Sequence, residues 1–216
     1  MRYFLDMNIP IYFCMETGDI LETKTKLFVK NKEEHLFLLC DYILSINLPK
    51  WLKRQKIILF EFNQKVQNQD YPSFSSEQSK SLFQQDKMFV NKLIIVYNQS
   101  QEKKQFVENI NQTFNILQAR INYFIRKYIN EIVIPESEID FELKSCLFDW
   151  LAPNDSDART IASAIQEHNN KNLIIITADK KHWTEDLLTE INNDLKLKKR
   201  YPSLPKIEYI QDYNLE

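Results

Sequence analysis

Residues 173–176 (LIII) form a short apolar run, mostly β-branched and bounded by polar residues, after which the chain reads Thr177-Ala178-Asp179. A run of that length without alternation reads as a strand buried on both faces, the kind found in parallel sheets. A carboxylate then sits just past the carboxyl end of that strand, and in open α/β sheets ligands bind at that edge. Taken alone, Asp179 could equally cap the turn that follows, since Asp is a common capping residue. The N-terminus repeats the arrangement. Tyr3, Phe4 and Leu5 read as a strand, Asp6 follows at once, and Asn8-Ile9-Pro10 leads into a helix with proline in its first turn.

A third group of acids, Asp155 and Asp157, opens the helical pattern DARTIASAIQEH immediately before the 173–176 run. Ser156 or Asp155 is a plausible N-cap there, so one of the two acids has a structural alternative. Acids at two strand ends and one helix start can converge at one edge of a parallel sheet. Like charges gathered this way repel by about 4 kcal/mol per pair at 4 Å and an effective dielectric near 20. Unless protonated or well solvated, such a cluster calls for a divalent cation. An oxygen-only ligand set selects Mg²⁺ or Mn²⁺ over zinc.

The single glycine, Gly18, excludes a glycine-rich phosphate loop and a dinucleotide fingerprint, which need several glycines for close backbone approach. A net charge of −2 gives no global basic signature, so nucleic-acid binding would need a local patch. The three cysteines, Cys14, Cys40 and Cys146, are far apart and form no CxxC or Cys/His pattern, which argues against structural zinc and a disulfide framework. No apolar run approaches the ~20 residues of a membrane span, and no signal-peptide core is evident. A soluble, cytoplasmic protein with no membrane partner is expected.

Along the chain, residues 9–16 read as a short helix closed by Gly18, and residues 23–32 are polar and left unassigned. Leu36, Leu39, Cys40, Ile43 and Leu44 share one face of a predicted amphipathic helix over 33–46. A further helix runs from Pro49 to about Gln67, with Glu61 between Phe60 and Phe62 and either turned to the core or on a solvated face. After a break at Asp70-Tyr71-Pro72-Ser73, helices are predicted over 77–98, where MFVNKLIIVY could also pass for a strand, and over 101–130. In the second, Phe106, Ile110, Phe114, Leu117, Ile121, Phe124 and Tyr128 form a packing stripe. A strand over 131–135, a helix over 138–150 ending near Pro153, a helix over 184–197, a basic connection (KLKKR) and a last strand over 206–210 complete the reading.

These pieces resemble the PIN-domain nucleases, including the toxin-type ribonucleases of bacterial toxin–antitoxin pairs. The resemblance rests on Asp6-Met7-Asn8 after the first strand, on Asp157 opening a small-residue helix with Ile161, Ala162 and Ala164, and on Thr177-Ala178-Asp179 with Trp183 four residues on. The signatures fall in the family's order at the two ends of the chain, covering about half of it. The resemblance implies a three-layer α/β sandwich with a short, mostly parallel sheet of about four to five strands flanked by helices. It implies one PIN-like domain over 1–216, in which residues 71–130 form a helical insertion or enlarged helical face that departs from the small toxins. It further implies a metal-dependent endonuclease, acting on RNA or on single-stranded DNA. Asp6, Asp157, Asp179 and Glu61 would hold one or two Mg²⁺ or Mn²⁺ ions, with Asp155 as an alternative or extra ligand. Asn8 and Thr177 would orient those ligands. Arg159, Lys180, Lys181 and His182 lie beside the acids and would hold substrate phosphates, or else are ordinary surface charge. An antitoxin-like protein and a second copy of the chain are the partners the resemblance adds. The competing reading is a catalytically degenerate nucleic-acid-binding or scaffold domain, and the orientation of Glu61 separates the two.

Overall fold

The computed structural model describes residues 1–151 and 154–214. In chain order its elements are β1 (Arg2–Leu5), α1 (Asn8–Cys14), α2 (Ile20–Asn31), β2 (Leu36–Cys40), a π-turn (Ile43–Asn47), α3 (Leu48–Gln67), α4 (Gln84–Gln99) and α5 (Lys103–Tyr128). There follow β3 (Ile129–Val133), α6 (Phe141–Trp150), α7 (Asp155–Asn170), β4 (Ile174–Thr177), α8 (Glu185–Asn193), α9 (Leu195–Arg200) and β5 (Lys206–Tyr209). The expected helix end at Pro153 lies outside the described residues.

The five strands form one all-parallel sheet in the order β3-β2-β1-β4-β5. Tyr3 sits opposite Phe37 on β2 and Ile174 on β4, so β1 is the centre of the sheet. Helices flank the sheet, consistent with a three-layer sandwich: α7 packs on β2, α1 on β4, α1 against α2, and α6 against α7. Continuous apolar strands follow from that cover. Phe4, Leu5, Phe37, Leu38, Leu39 and Cys40 are all buried, and so are Ala158, Ile161, Ala162, Ala164 and Ile165 on the inner face of α7.

The segment predicted as a helix over 33–46 is instead strand β2 followed by the π-turn. Five consecutive apolar residues, LFLLC, satisfy a helical stripe and a doubly covered strand equally, and periodicity does not separate the two. The partners decide it: β2 is closed in by β1 and β3 on its two edges. Residues 20–31 form α2, which takes in most of the polar stretch 23–32 that the sequence alone leaves unassigned. Asp19 caps α2 through the Leu21 N–H, and the buried Glu22 carboxylate accepts the N–H groups of Thr17 and Gly18. Gly18 has φ +84°, the left-handed region that glycine enters freely. The basic KLKKR segment belongs to helix α9, capped by Asp194.

The chain divides into two compact units, Met1–Leu48 with Ile121–Glu216, and Pro49–Arg120. The first contains the whole sheet. The second is helical. Ile57, Ile58, Leu82 and Val90 form its core, with Phe74, Phe89 and Phe114 packed against them. Phe62 meets the rings of Tyr97 and Phe106 edge-on. Among the described residues no helix is long and apolar enough to cross a membrane.

Candidate metal centre

The sheet order fixes where a site can form. From β1 the chain runs outward through β2 to β3, then returns to place β4 on the other side of β1 and β5 beyond it. The gap above the carboxyl ends of β1 and β4 is therefore the topological switch point, the position where open α/β sheets bind ligands. Asp6 is the first residue past β1, and Asp179 is the second past β4.

A hydrogen-bonded lattice joins the two strand ends. The Asp6 N–H donates to the Ile176 carbonyl at 3.0 Å. The Thr177 hydroxyl donates to Asp6 Oδ2 at 2.7 Å and accepts the Asp179 N–H at 2.9 Å. Asn8 Nδ2 donates to Asp6 Oδ2 and to Thr177 Oγ1, while Asn8 Oδ1 accepts the Ala178 N–H at 3.0 Å. The Met7 N–H binds the other Asp6 oxygen at 2.6 Å. Asn8 and Thr177 thus each touch both strand ends. Burial pushes the Asp6 carboxyl up to about 7; the Thr177 hydrogen bond opposes this, and the charges of Asp157 and Asp179 add to it.

Asp157 arrives from the first turn of α7. Asn154 caps that helix, not Asp155 or Ser156: its side-chain oxygen accepts the Asp157 N–H at 3.2 Å, and its amide donates to Asp157 Oδ2. Ser156 instead accepts from Asn47 Nδ2 at 2.8 Å. Desolvation raises the Asp157 carboxyl to about 6, with His182 opposing the rise and Asp179 reinforcing it.

The residues after β4 wrap around Asp179. Its Oδ1 accepts the N–H groups of Lys181 and His182, an Asx-type turn that aims the His182 ring back over the acids. His182 Nδ1 lies 2.9 Å from Asp179 Oδ2 and 3.1 Å from Asp157 Oδ2. Trp183, 1% exposed, anchors the loop in the core, and the Tyr209 hydroxyl donates to its carbonyl at 2.7 Å. Asp157, Asp179 and His182 together offer three ligand atoms within 4.8 Å of one another.

The other residues singled out from the sequence stand as follows. Asp155 Oδ2 is bound by Arg159 Nε at 2.7 Å, and Arg159 also reaches Glu136 at 3.2 Å and lies over the Tyr42 ring. Lys180 pairs with Asp212 at 2.7 Å. Lys181 is exposed. Glu61 belongs to the helical unit and is 1% exposed. Its carboxylate accepts the Phe74 N–H at 2.8 Å and the hydroxyls of Tyr71, Ser76 and Ser79, all within that unit. Two features escaped the sequence reading. One is the role of His182 inside the acid cluster, for which the only signal is its place three residues after Asp179. The other is the Asn154 cap, signalled by an Asn three residues before Asp157. Cys40, fully buried with its thiol pushed up to about 12 by desolvation, is not a nucleophile.

No family model matches the chain, and no curated protein or solved structure matches it.

Proposed function

We propose that the protein is a divalent-metal-dependent nuclease of PIN-like architecture, with RNA as its substrate. The observation that supports this reading is the joining of Asp157, Asp179 and His182 beside the buried Asp6 at the sheet's switch point. Two carboxylates and one imidazole are a chemically competent donor set. Carboxylates suit Mg²⁺ and Mn²⁺, and the nitrogen ligand moves the preference away from Mg²⁺, which favours oxygen, toward Mn²⁺ and softer divalent ions. A divalent ion there would supply Lewis acidity, acidifying water and offsetting the charge that develops on a phosphodiester in hydrolysis. Asp157 and Asp179 would hold it, and Asn8 and Thr177 would keep Asp6 aimed at the same edge. Lys181 is an exposed cation next to the acids and available for a substrate phosphate. RNA is preferred to DNA only because most of the family that the motifs resemble cuts RNA; the residues of the site do not themselves distinguish a 2′-hydroxyl.

The test is cleavage of labelled single-stranded RNA and DNA with Mn²⁺, Mg²⁺ or EDTA, for the parent protein and for Asp157→Asn and Asp179→Asn. Metal-dependent cutting of RNA, lost at least 100-fold in both variants, is expected. Cutting that survives either substitution, or that EDTA leaves untouched, would overturn the reading.

A second reading draws on Glu61. With that carboxylate engaged inside the helical unit, the acids at the sheet edge form a smaller set than the nuclease resemblance implies, and His182 already bridges Asp157 and Asp179. That arrangement favours a nucleic-acid-binding domain without catalysis. RNA binding that persists in EDTA, with no cutting under any metal, would select it.

A further inference from the structure

A groove of about 530 Å³ opens beside the acid cluster, lined by Trp150, Lys181, His182, Asp186, Leu187 and Glu190. Its volume falls in the range of small-ligand sites. His182 belongs to both the groove and the acid cluster, so whatever lies in the groove continues directly from a group held at Asp157 and Asp179.

The lining has a chemical direction. Lys181 and His182 provide cationic or donor groups. On α8, Asp186 and Glu190 stand one turn apart, and among the described residues neither carboxylate has a hydrogen bond or ion pair from its side chain. Trp150 is 36% exposed, whereas the other two tryptophans, Trp51 and Trp183, are 8% and 1% exposed. An anion fits the Lys181 and His182 lining and is repelled by the two acids, and a cationic peptide has the reverse problem. The occupant that satisfies all of it is flat, has a phosphate attached, and presents hydrogen-bond donors away from that phosphate.

We infer that this groove is a nucleobase subsite selecting guanine in the strand next to the cleaved phosphate. The inference rests on the nuclease reading for its phosphate position, and the groove itself stands on its own residues. The indole of Trp150 stacks on the base, a contact open to any base. Discrimination comes from Asp186 and Glu190. An ionised carboxylate only accepts hydrogen bonds. Guanine alone offers two neighbouring donors on its pairing edge, N1–H and the N2 amino group. Uracil offers one donor between two acceptors, which would meet the carboxylates oxygen to oxygen.

Two measurements on the protein test this separately. The first is quenching of tryptophan fluorescence by guanosine 5′-monophosphate, uridine 5′-monophosphate and a lysine-rich peptide, in EDTA. The guanine nucleotide is expected to bind at least about tenfold more tightly than the uridine nucleotide. The signal should vanish in Trp150→Ala, remain in a Trp51→Phe variant, and lose its guanine preference in Asp186→Asn/Glu190→Gln. Equal quenching by both nucleotides, quenching by the peptide alone, or none at all would overturn the inference. The second is cleavage of oligoribonucleotides that differ in one base beside the cut. Trp150→Ala should raise KM about tenfold with little change in kcat, and Trp150→Phe should restore most of that loss. Cutting without base preference and indifferent to Trp150 would remove the subsite and leave the nuclease intact. Guanine-selective quenching without any cutting would keep the subsite and remove the nuclease.

Discussion

Asp6 is 5% exposed, and its carboxylate accepts from the Met7 N–H, the Asn8 amide and the Thr177 hydroxyl. Those donors favour the charged form, yet burial beside Asp157 and Asp179 outweighs them and lifts the group to about 7. An unfolded Asp loses its proton near 3.9, whereas the folded one keeps it to about 7, so the native state binds more protons across that window. Stability attributable to Asp6 is therefore complete below about pH 4 and is lost as pH rises to about 7, by up to roughly 4 kcal/mol. Thermal melts of metal-free protein should show a stability decline between pH 5 and pH 8 that is flatter in Asp6→Asn; an unchanged slope in that variant would refute the assignment. Asp157, held at about 6, moves in the same direction. An ion at this edge must displace those protons, so Mn²⁺ affinity by titration calorimetry should rise steeply from pH 5.5 to pH 7.5. At this scale the sequence was informative about residue identity and poor about orientation. Asp6, Asp157 and Asp179 could be singled out because each follows or opens an element. The direction of the His182 ring depends on the Asx-type turn at Asp179, which spacing alone does not determine.

Among the elements, α7 shows how a cap can serve a site. Asn154 closes the helix start and holds Asp157 by both its backbone and its carboxylate. Asn154→Ala should cost about 1 kcal/mol in urea denaturation, the usual loss for a removed N-cap. It should also weaken Mn²⁺ binding, because Asp157 loses a group that orients it. Asn154→Asp, which keeps the cap acceptor, should recover stability but not metal affinity, since its second oxygen faces Asp157 as a like charge. Unchanged Mn²⁺ affinity in Asn154→Ala, despite its lower stability, would mean the cap and the ligand are independent. The legibility of elements divided along a physical line. Strands β1 and β4 were readable because each is short, apolar and stopped by a polar residue. The neighbouring β2 was not, because LFLLC fits a helical stripe as well as a covered strand, and its identity depends on Arg2–Leu5 and Ile129–Val133 lying along its two edges. Likewise α2 has little apolar patterning, and it is stabilised at its start by Asp19 and Glu22.

For the whole molecule, the parallel sheet and the placement of Asp6 and Asp179 at its carboxyl edge were legible from two strand ends at opposite extremes of the chain. The division into units was less so, because nothing in composition marks Pro49 or Arg120 as a boundary. Glu61 marks the difference between these levels. A buried acid between two phenylalanines could face a metal or a loop, and here it takes the N–H of Phe74, which sits at φ +64°. A left-handed phenylalanine is a costly backbone state that its surroundings must compensate. Glu61→Ala should therefore destabilise the protein by about 1–3 kcal/mol, as expected when buried donors lose their acceptor, while leaving Mn²⁺ affinity unchanged. A loss of metal affinity in a folded Glu61→Gln protein would place Glu61 at the metal after all. The sheet order has one more consequence, in time rather than in space. Asp6 and Thr177 are 171 residues apart in the chain, yet the Thr177 hydroxyl is what holds the Asp6 carboxylate. During synthesis β1 can pair with β2 early, but its other edge stays open until residues 174–177 have been made. Asp6 and Asp179 therefore come together only once β4 has joined β1, so the order of the strands in the sheet sets the moment at which the acid cluster can exist.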